Sequence, residues 1–325
     1  MAGDEHDAML AETAEAILGP ARYTREQAAE AAGVPHERAT RLWRAMGFPE
    51  VSYDEVLFTE QDVAALRTAE SLRANGVVDE DGLVALARSM AQALSRLAVS
   101  HAAIAGEYML RTAAGDVDTE TAMHQAESLV PEVGELLSFV WRRHLVAAAE
   151  TTLVTLLGDT SPDAPVVVGF ADLAGFTEAS RNLDAAALDA LVERFEANAT
   201  HLVTGRGGRV VKTLGDEVLF TVDDVRAGVG IALDLAENAD TLGGEVRVGA
   251  AYGPVLARLG DVFGPTVNLA SRLTGIAHPG TVLVDREAAQ ALRDDAAYDV
   301  SPIARRSVRG YAHLAPFRVR RATRN

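Results

Sequence analysis

The chain has 325 residues, of which 48% are hydrophobic and 24% charged; this is ordinary globular composition, long enough for two domains, with little room for long disordered tracts. With no cysteine, a disulfide framework, a thiolate zinc site and a cysteine nucleophile are excluded together. The net charge of −17 is lopsided, since residues 1–160 hold 12 Arg against 26 Asp and Glu while residues 161–325 hold 18 basic against 21 acidic, and so acidic a first half makes nucleic acid a disfavoured partner.

The amino terminus, MAGDEHDAML, is acidic where a signal peptide is basic and then apolar, and no apolar run reaches the roughly 18 residues of a membrane span. The expectation is a cytoplasmic protein with no transmembrane segment. Residues 8–157 read as helix after helix. Thr24 and Gln27 form a capping box, Gly33 marks a turn, and a second helix is opened by Pro35 and closed by Gly47, a helix-turn-helix-like pattern over 24–47. Further helices are predicted over Glu60–Asn75, Asp81–Ala113 and Thr119–Leu157, with Ala-rich spacing that suits close packing and apolar stretches, Leu83–Leu110 and Leu129–Leu157, read first as core. The run DTSPDAP, residues 159–165, is the linker candidate.

From Val166 short β-branched runs alternate with helices. Strands are predicted over Val166–Phe170, Arg209–Thr213, Glu217–Val222 and Thr281–Val284, and helices over Asp184–Thr204, Asp224–Glu237 and about Pro265–Ile276. Val246–Tyr252 and Val255–Leu259 are expected to pair as a hairpin. The fold class read from this is an all-α domain, residues 1–158, followed by an α+β ferredoxin-like βαββαβ domain, residues 166–321.

Three segments of the second half carry chemistry. In FADLAGFT, Asp172 is placed just after a strand and before a helix, where a carboxylate can hold a hard cation while free amides from Ala174 to Thr177 meet an anion; alone, such an Asp is more often a turn former. In KTLGDEVLF, Asp216 sits in a tight turn, which by itself is common hairpin chemistry. In GDVFGPTVNLASR, Asn268 and Arg272 are four apart on a helix and share one face, and a guanidinium beside an amide suits a charged transition state at phosphorus; a solvated polar face is the bland alternative. One count adds to this: 29 of the 30 basic residues are Arg, and Lys212 is the single Lys, a position that retains a compact charge on a thin stem.

Taken in order and at these separations, the three motifs resemble the catalytic domain of the class III nucleotidyl cyclases over residues 166–321. The resemblance implies two metal-binding aspartates, Asp172 and Asp216, joined by the Leu173 backbone, and two divalent cations, Mg2+ or Mn2+. It implies that Lys212 and Asp261 read the purine, a Lys–Asp pair being the adenine reader where Glu with Cys reads guanine. It gives Asn268 and Arg272 the ribose and the transition state. Phe176, Thr177, Arg258 and Arg309 become candidates for the triphosphate; Arg309 stands where some relatives have Lys, and Pro254 where some have Arg. Because the family splits each site between two subunits, a head-to-tail homodimer with two complete sites is implied. The activity implied is adenylyl cyclase, converting ATP to 3′,5′-cyclic AMP and pyrophosphate, with the general base left open.

The helical half resembles the regulatory domain of the pH-responsive mycobacterial-type cyclases, which inhibit their own catalytic domains. Proton or fatty acid is then the effector to consider; His36, His101, His124 and His144 are single histidines without metal spacing, read first as surface or satisfied core residues, of a residue type that can change charge between pH 5 and 8. The segment YTREQAAEAAGVPHERATRLWRAMGF also looks like a MerR-type helix-turn-helix, lined by Arg38, Arg41 and Arg44. The alternative to an enzyme is therefore a ligand-sensing transcription factor with an inactive, nucleotide-binding cyclase-like module; the charge of this half favours packing or dimer contact over DNA readout.

Overall fold

The structure is a computed structural model that describes residues 11–48, 52, 54–113, 119–156, 164–258 and 260–322. The chain divides into two compact units, Met1–Ala148 and Ala149–Asn325. Among the described residues no helix is long and apolar enough to cross a membrane.

The first unit is helical. After α1, described over residues 11–18, come α2 (Arg25–Ala32), α3 (His36–Ala45), α4 (Glu60–Ala74), α5 (Glu80–Ala113) and α6 (Thr119–Leu156), the last eight residues of α6 being counted with the second unit. Both halves of the Thr24–Gln27 capping box form, which satisfies two amides that would otherwise be orphaned at the helix start. A small core joins Ala28, Val34, Leu42, Trp43, Phe58, Val63, Leu66 and Leu83, with the Trp43 and Phe58 rings 4.6 Å apart. The core reading of the two long helices holds only in part: Leu83 is buried and Val84 packs beside it in the small core, whereas among the described side chains Met90, Ile104, Leu136, Phe139 and Trp141 are exposed. Pro131 lies inside α6. The linker candidate falls, for residues 159–163, outside the described residues.

The second unit is built on β1 (Val166–Leu173), β2 (Arg209–Thr213), β3 (Glu217–Val222), β4 (Val246–Gly253), β7 (Val282–Val284), β8 (Tyr298–Pro302) and β11 (Phe317–Arg321), in the sheet order β2-β3-β1-β4-β7-β11-β8. The first four strands pair antiparallel, as a βαββαβ core requires. Alternation along β1 sends Val167, Ala171 and Leu173 into one core, with α8 (Ala185–Thr204) and α9 (Val225–Glu237), and Val168 and Phe170 into the other, with α11 (Pro265–Ile276). Short α7 (Phe176–Asn182), α10 (Ala239–Leu242) and α12 (Arg286–Ala291) fill the connections, and β9 (Arg306–Val308) and β10 (Tyr311–Leu314) make a separate ribbon.

Two sequence expectations need correction. β1 continues three residues past Phe170 because Ala171, Asp172 and Leu173 keep partners on both sides, in β3 or the turn before it and in β4, so Asp172 lies inside a strand and not after one. The expected hairpin of 246–252 with 255–259 does not form; β4 is held centrally by β1 and β7, and the hairpin is instead β5 (Leu256–Arg258) with β6 (Asp261–Phe263). Leu259 lies outside the described residues.

Candidate active site

The α11-side face of the sheet carries a row of charged residues in register across three strands: Glu217 on β3, Asp172 on β1 and Arg247 on β4. Arg247 Nε donates to Asp172 Oδ2 at 2.5 Å. Asp216 enters the same corner from the β2–β3 turn, where Gly215 adopts φ 69°, a left-handed conformation that favours glycine. Its carbonyl accepts from the Leu173 amide at 2.9 Å, so what Leu173 has left to offer a cation is its carbonyl oxygen. The Ala174 amide is bonded to the Glu245 carbonyl at 2.8 Å and is not the free donor expected; α7 opens only at Phe176, so its first-turn amides are those of Phe176, Thr177 and Glu178.

Burial pushes the Asp216 carboxyl up, the Asp172 charge adds to that, and Arg247 opposes it. Glu217 is raised too, first by burial, then by Asp172 and Asp216, against Arg247 and Lys212. Three carboxylates, Asp172, Asp216 and Glu217, thus share this corner with the Arg247 guanidinium. Among the described residues no three His, Asp or Glu side chains converge to hold a metal ion by themselves. Two hard carboxylates fit Mg2+ or Mn2+, which take one or two protein carboxylates and complete their shells with water and substrate phosphates.

Across β2 lies a second pair. Lys212 Nζ is 2.6 Å from Asp261 Oδ2, with both side chains about one-third exposed at 34% and 30%. Burial works to raise the Asp261 carboxyl, but the bonds from Lys212 and the Val262 amide, with the charges of Lys212 and Arg209, hold it below the usual carboxylate range. Arg209 Nη1 also reaches the Gly260 carbonyl at 3.2 Å, tying the β5–β6 turn to β2. Arg258 stands opposite Asp261 in that hairpin and is exposed.

Asn268 and Arg272 lie on α11, Asn268 exposed and Arg272 half-buried. Their helix is set against β4 at unusual closeness, because a Cβ at Gly249 would come within 2.1 Å of the Thr274 amide nitrogen. Thr274 Oγ1 donates to the Phe170 carbonyl at 3.2 Å and Thr266 Oγ1 to the Pro254 carbonyl at 2.7 Å, so α11 is also pinned at both ends. Among the described residues Arg272 makes no ion pair with either charged pair. Arg309 is exposed at the tip of the separate β9–β10 ribbon. Phe176 packs against the core, and Thr177 is exposed.

Two clefts of this unit lie elsewhere. One of about 710 Å³ is lined by Asp223, Arg226, Tyr252 and Asp294, the other of about 460 Å³ by Leu269, Asp285, Gly310 and His313. Neither is lined by Asp172, Asp216, Lys212 or Asp261. Sequence reasoning passed over Arg247 and Glu217. A signal for the first is an Arg in the otherwise apolar strand VRVGAAYG.

Comparison with known proteins places these observations in context. Residues 159–320 match the model described as the adenylate and guanylate cyclase catalytic domain, and residues 4–147 that of the adenylate cyclase regulatory domain. An adenylate cyclase of Glutamicibacter nicotianae is 38% identical over 321 residues, covering 93% of this chain and 79% of the relative. An adenylate cyclase of Streptomyces coelicolor is 45% identical over 280 residues, 85% of this chain and 73% of the relative. A pH-sensitive adenylate cyclase of Mycobacterium tuberculosis is 33% identical over 312 residues, 90% and 77% respectively.

Proposed function

Since this chain belongs to the adenylate and guanylate cyclase family, with a regulatory domain ahead of the catalytic one, we propose that it converts ATP to 3′,5′-cyclic AMP and pyrophosphate. The observation that carries the choice of ATP is the Lys212–Asp261 pair. An ammonium only donates and a carboxylate only accepts, which matches the ring-nitrogen acceptor and amino donor of adenine; guanine presents the reverse and would leave buried groups unpaired.

In the reaction the ribose 3′-oxygen bonds to the α-phosphorus as the bond to pyrophosphate breaks, and the hydroxyl proton leaves to a base that remains open among Asp172, water and phosphate. Two divalent cations held by Asp172, Asp216 and the Leu173 carbonyl would supply Lewis-acid stabilisation of charge on the reacting and leaving oxygens. Arg272 offers fixed, always-charged donors to the transferring phosphoryl group, and Asn268 orients the ribose. Arg258, Arg309 and the amides of Phe176 and Thr177 are assigned to the triphosphate.

The working form proposed is a head-to-tail homodimer in which one chain gives Asp172 and Asp216 and the other gives Lys212, Asp261, Asn268 and Arg272. Its support is that apolar Leu256 and Phe263, paired on the β5–β6 hairpin, are 63% and 47% exposed on a single chain. The regulatory signal proposed is the proton, supported by the pH-sensitive relative; a fatty acid is the other candidate. DNA readout loses its footing in the first unit. There Arg38 is paired with Glu70 at 3.1 Å and with Glu80 at 3.8 Å, and Arg41 with Glu80 and Asp81, so two of the three arginines proposed to face DNA are engaged by their own chain.

The test is cyclic AMP formation by the purified chain with ATP and Mn2+ between pH 5.5 and 8. Product expected with ATP and much less with GTP supports the reading; no product at any pH in that range overturns it.

A further inference from the structure

We propose that Arg247 is a positioning residue that occupies the Asp172 carboxylate as an internal counter-cation, so that a divalent ion binds this corner more weakly alone than together with nucleotide. The inference rests on the proposed role of Asp172 as a cation ligand. Its own basis is the row Glu217, Asp172, Arg247, which cross-strand register places side by side on one face of β3, β1 and β4. Side chains that are directly opposite on an antiparallel pair meet without rearrangement.

The bond from Arg247 Nε to Asp172 Oδ2 is 2.5 Å, with the Asp172 side chain only 14% exposed and that of Arg247 36%. The carboxylate is thus shielded while the guanidinium keeps access to solvent. Val246, Val248 and Ala250 bury the opposite face of β4, which fixes the strand and sets Arg247 on the face that carries this row. The Arg247 charge also acts on Asp216 and Glu217, so one cation serves three carboxylates.

A divalent ion arriving alone must displace that guanidinium, and the bond it breaks is a charge-assisted one of the stronger kind. An ion arriving with a triphosphate brings anionic oxygens that restore the charge balance and give the displaced cation a new counter-charge. Arg247 therefore acts through Asp172 and is not assigned any contact with the reacting atoms.

The experiment is a Mn2+ titration of the full chain without nucleotide, following the free aquo ion by electron paramagnetic resonance. Arg247→Met keeps the stem and removes the charge, and is expected to bind Mn2+ about tenfold more tightly than wild type, the equivalent of one charge-assisted bond. Arg247→Lys retains a cation and should stay within about threefold of wild type. A gain of affinity is not what general structural damage produces. Adding a non-cyclisable ATP analogue should narrow the gap. Arg247→Met binding Mn2+ no more tightly than wild type, while Asp172→Asn still weakens binding in both backgrounds, overturns the role of Arg247 and leaves the metal site standing. Asp172→Asn leaving Mn2+ affinity unchanged everywhere removes the metal assignment itself and this inference with it.

Discussion

Lys212 Nζ bonds Asp261 Oδ2 at 2.6 Å across 49 residues of sequence, joining strand β2 to the tip of the β5–β6 hairpin. The two groups hold each other aimed while no base is present, and in the proposed reading an adenine edge would replace one hydrogen-bond partner of each. Lys212→Glu with Asp261→Cys should lower kcat/KM for ATP by at least about a hundredfold, within the range seen when a polar reading site is mismatched. Activity with GTP need not appear, because the packing around the base is unchanged. Initial rates with each nucleotide check this, and ATP selectivity equal to wild type would remove both residues from base reading.

The proposed split of one site between two chains makes a complementation experiment decisive. Asp172→Ala alone should fall by about a thousandfold, the scale of losing Lewis-acid stabilisation, and Arg272→Ala by a similar factor. Mixed dimers, verified by two affinity tags, should regain up to half of the wild-type rate because one of their two sites carries neither substitution. Verified mixed dimers as inactive as the parents would refute the shared site. Circular dichroism should show both variants folded.

Asp285 gives the second unit a pH-dependent stability. Its carboxyl is 3% exposed, caps α12 through the Ala288 amide at 3.0 Å and accepts from the Tyr252 amide at 3.2 Å. Burial, helped by the neighbouring Glu287, pushes it up to about 7 despite those two amides. The folded state then holds a proton that the unfolded chain releases near 3.8, so this group makes the protein lose stability as pH rises from about 4 to about 7, with no further loss above. Asp285→Asn stays neutral and keeps the acceptor, and its melting temperature should fall less across that window than wild type. Parallel curves from pH 4 to 8 would show that Asp285 is ionised in the folded protein.

Control by the first unit is tested by the pH–rate profile. The full chain should become more active on acidification, and residues 159–325 alone should be less pH-dependent. His36 and His144 are exposed and His101 half-buried; the side chain of His124 lies outside the described residues. A midpoint near 6.5 points to histidine, a lower one to the carboxylates that dominate this unit. Coinciding profiles in height and midpoint would end the autoinhibitory reading.

The parts of the site that sequence made legible are those whose geometry is local. Gly215 and Asp216 form a turn over four residues, and Asn268 and Arg272 share a helix face by periodicity alone. The Lys212–Asp261 contact was reachable only through family resemblance, since no local rule joins a strand to a hairpin 49 residues away. Arg247 was missed because its meaning arises from register: it meets Asp172 across 75 residues. Asp285 was passed over, because its cap on α12 is local but its burial arises where the Tyr252 amide of β4 meets it. The long helices misled in the opposite direction. The apolar periodicity of α5 and α6 is real, and periodicity says which residues seek cover without saying which chain provides it.

Gly249 ends up as demanding a position as any that meets the nucleotide. Its missing methyl group sets the spacing between β4 and α11, and that spacing decides how far Arg272 stands from the neighbouring strands. A survey of inactivating substitutions across this chain would therefore return Gly249 alongside Arg272, and even alanine there should move the arginine by lifting its helix. The reach of a long, flexible side chain is in this sense inherited from the smallest residue beneath it.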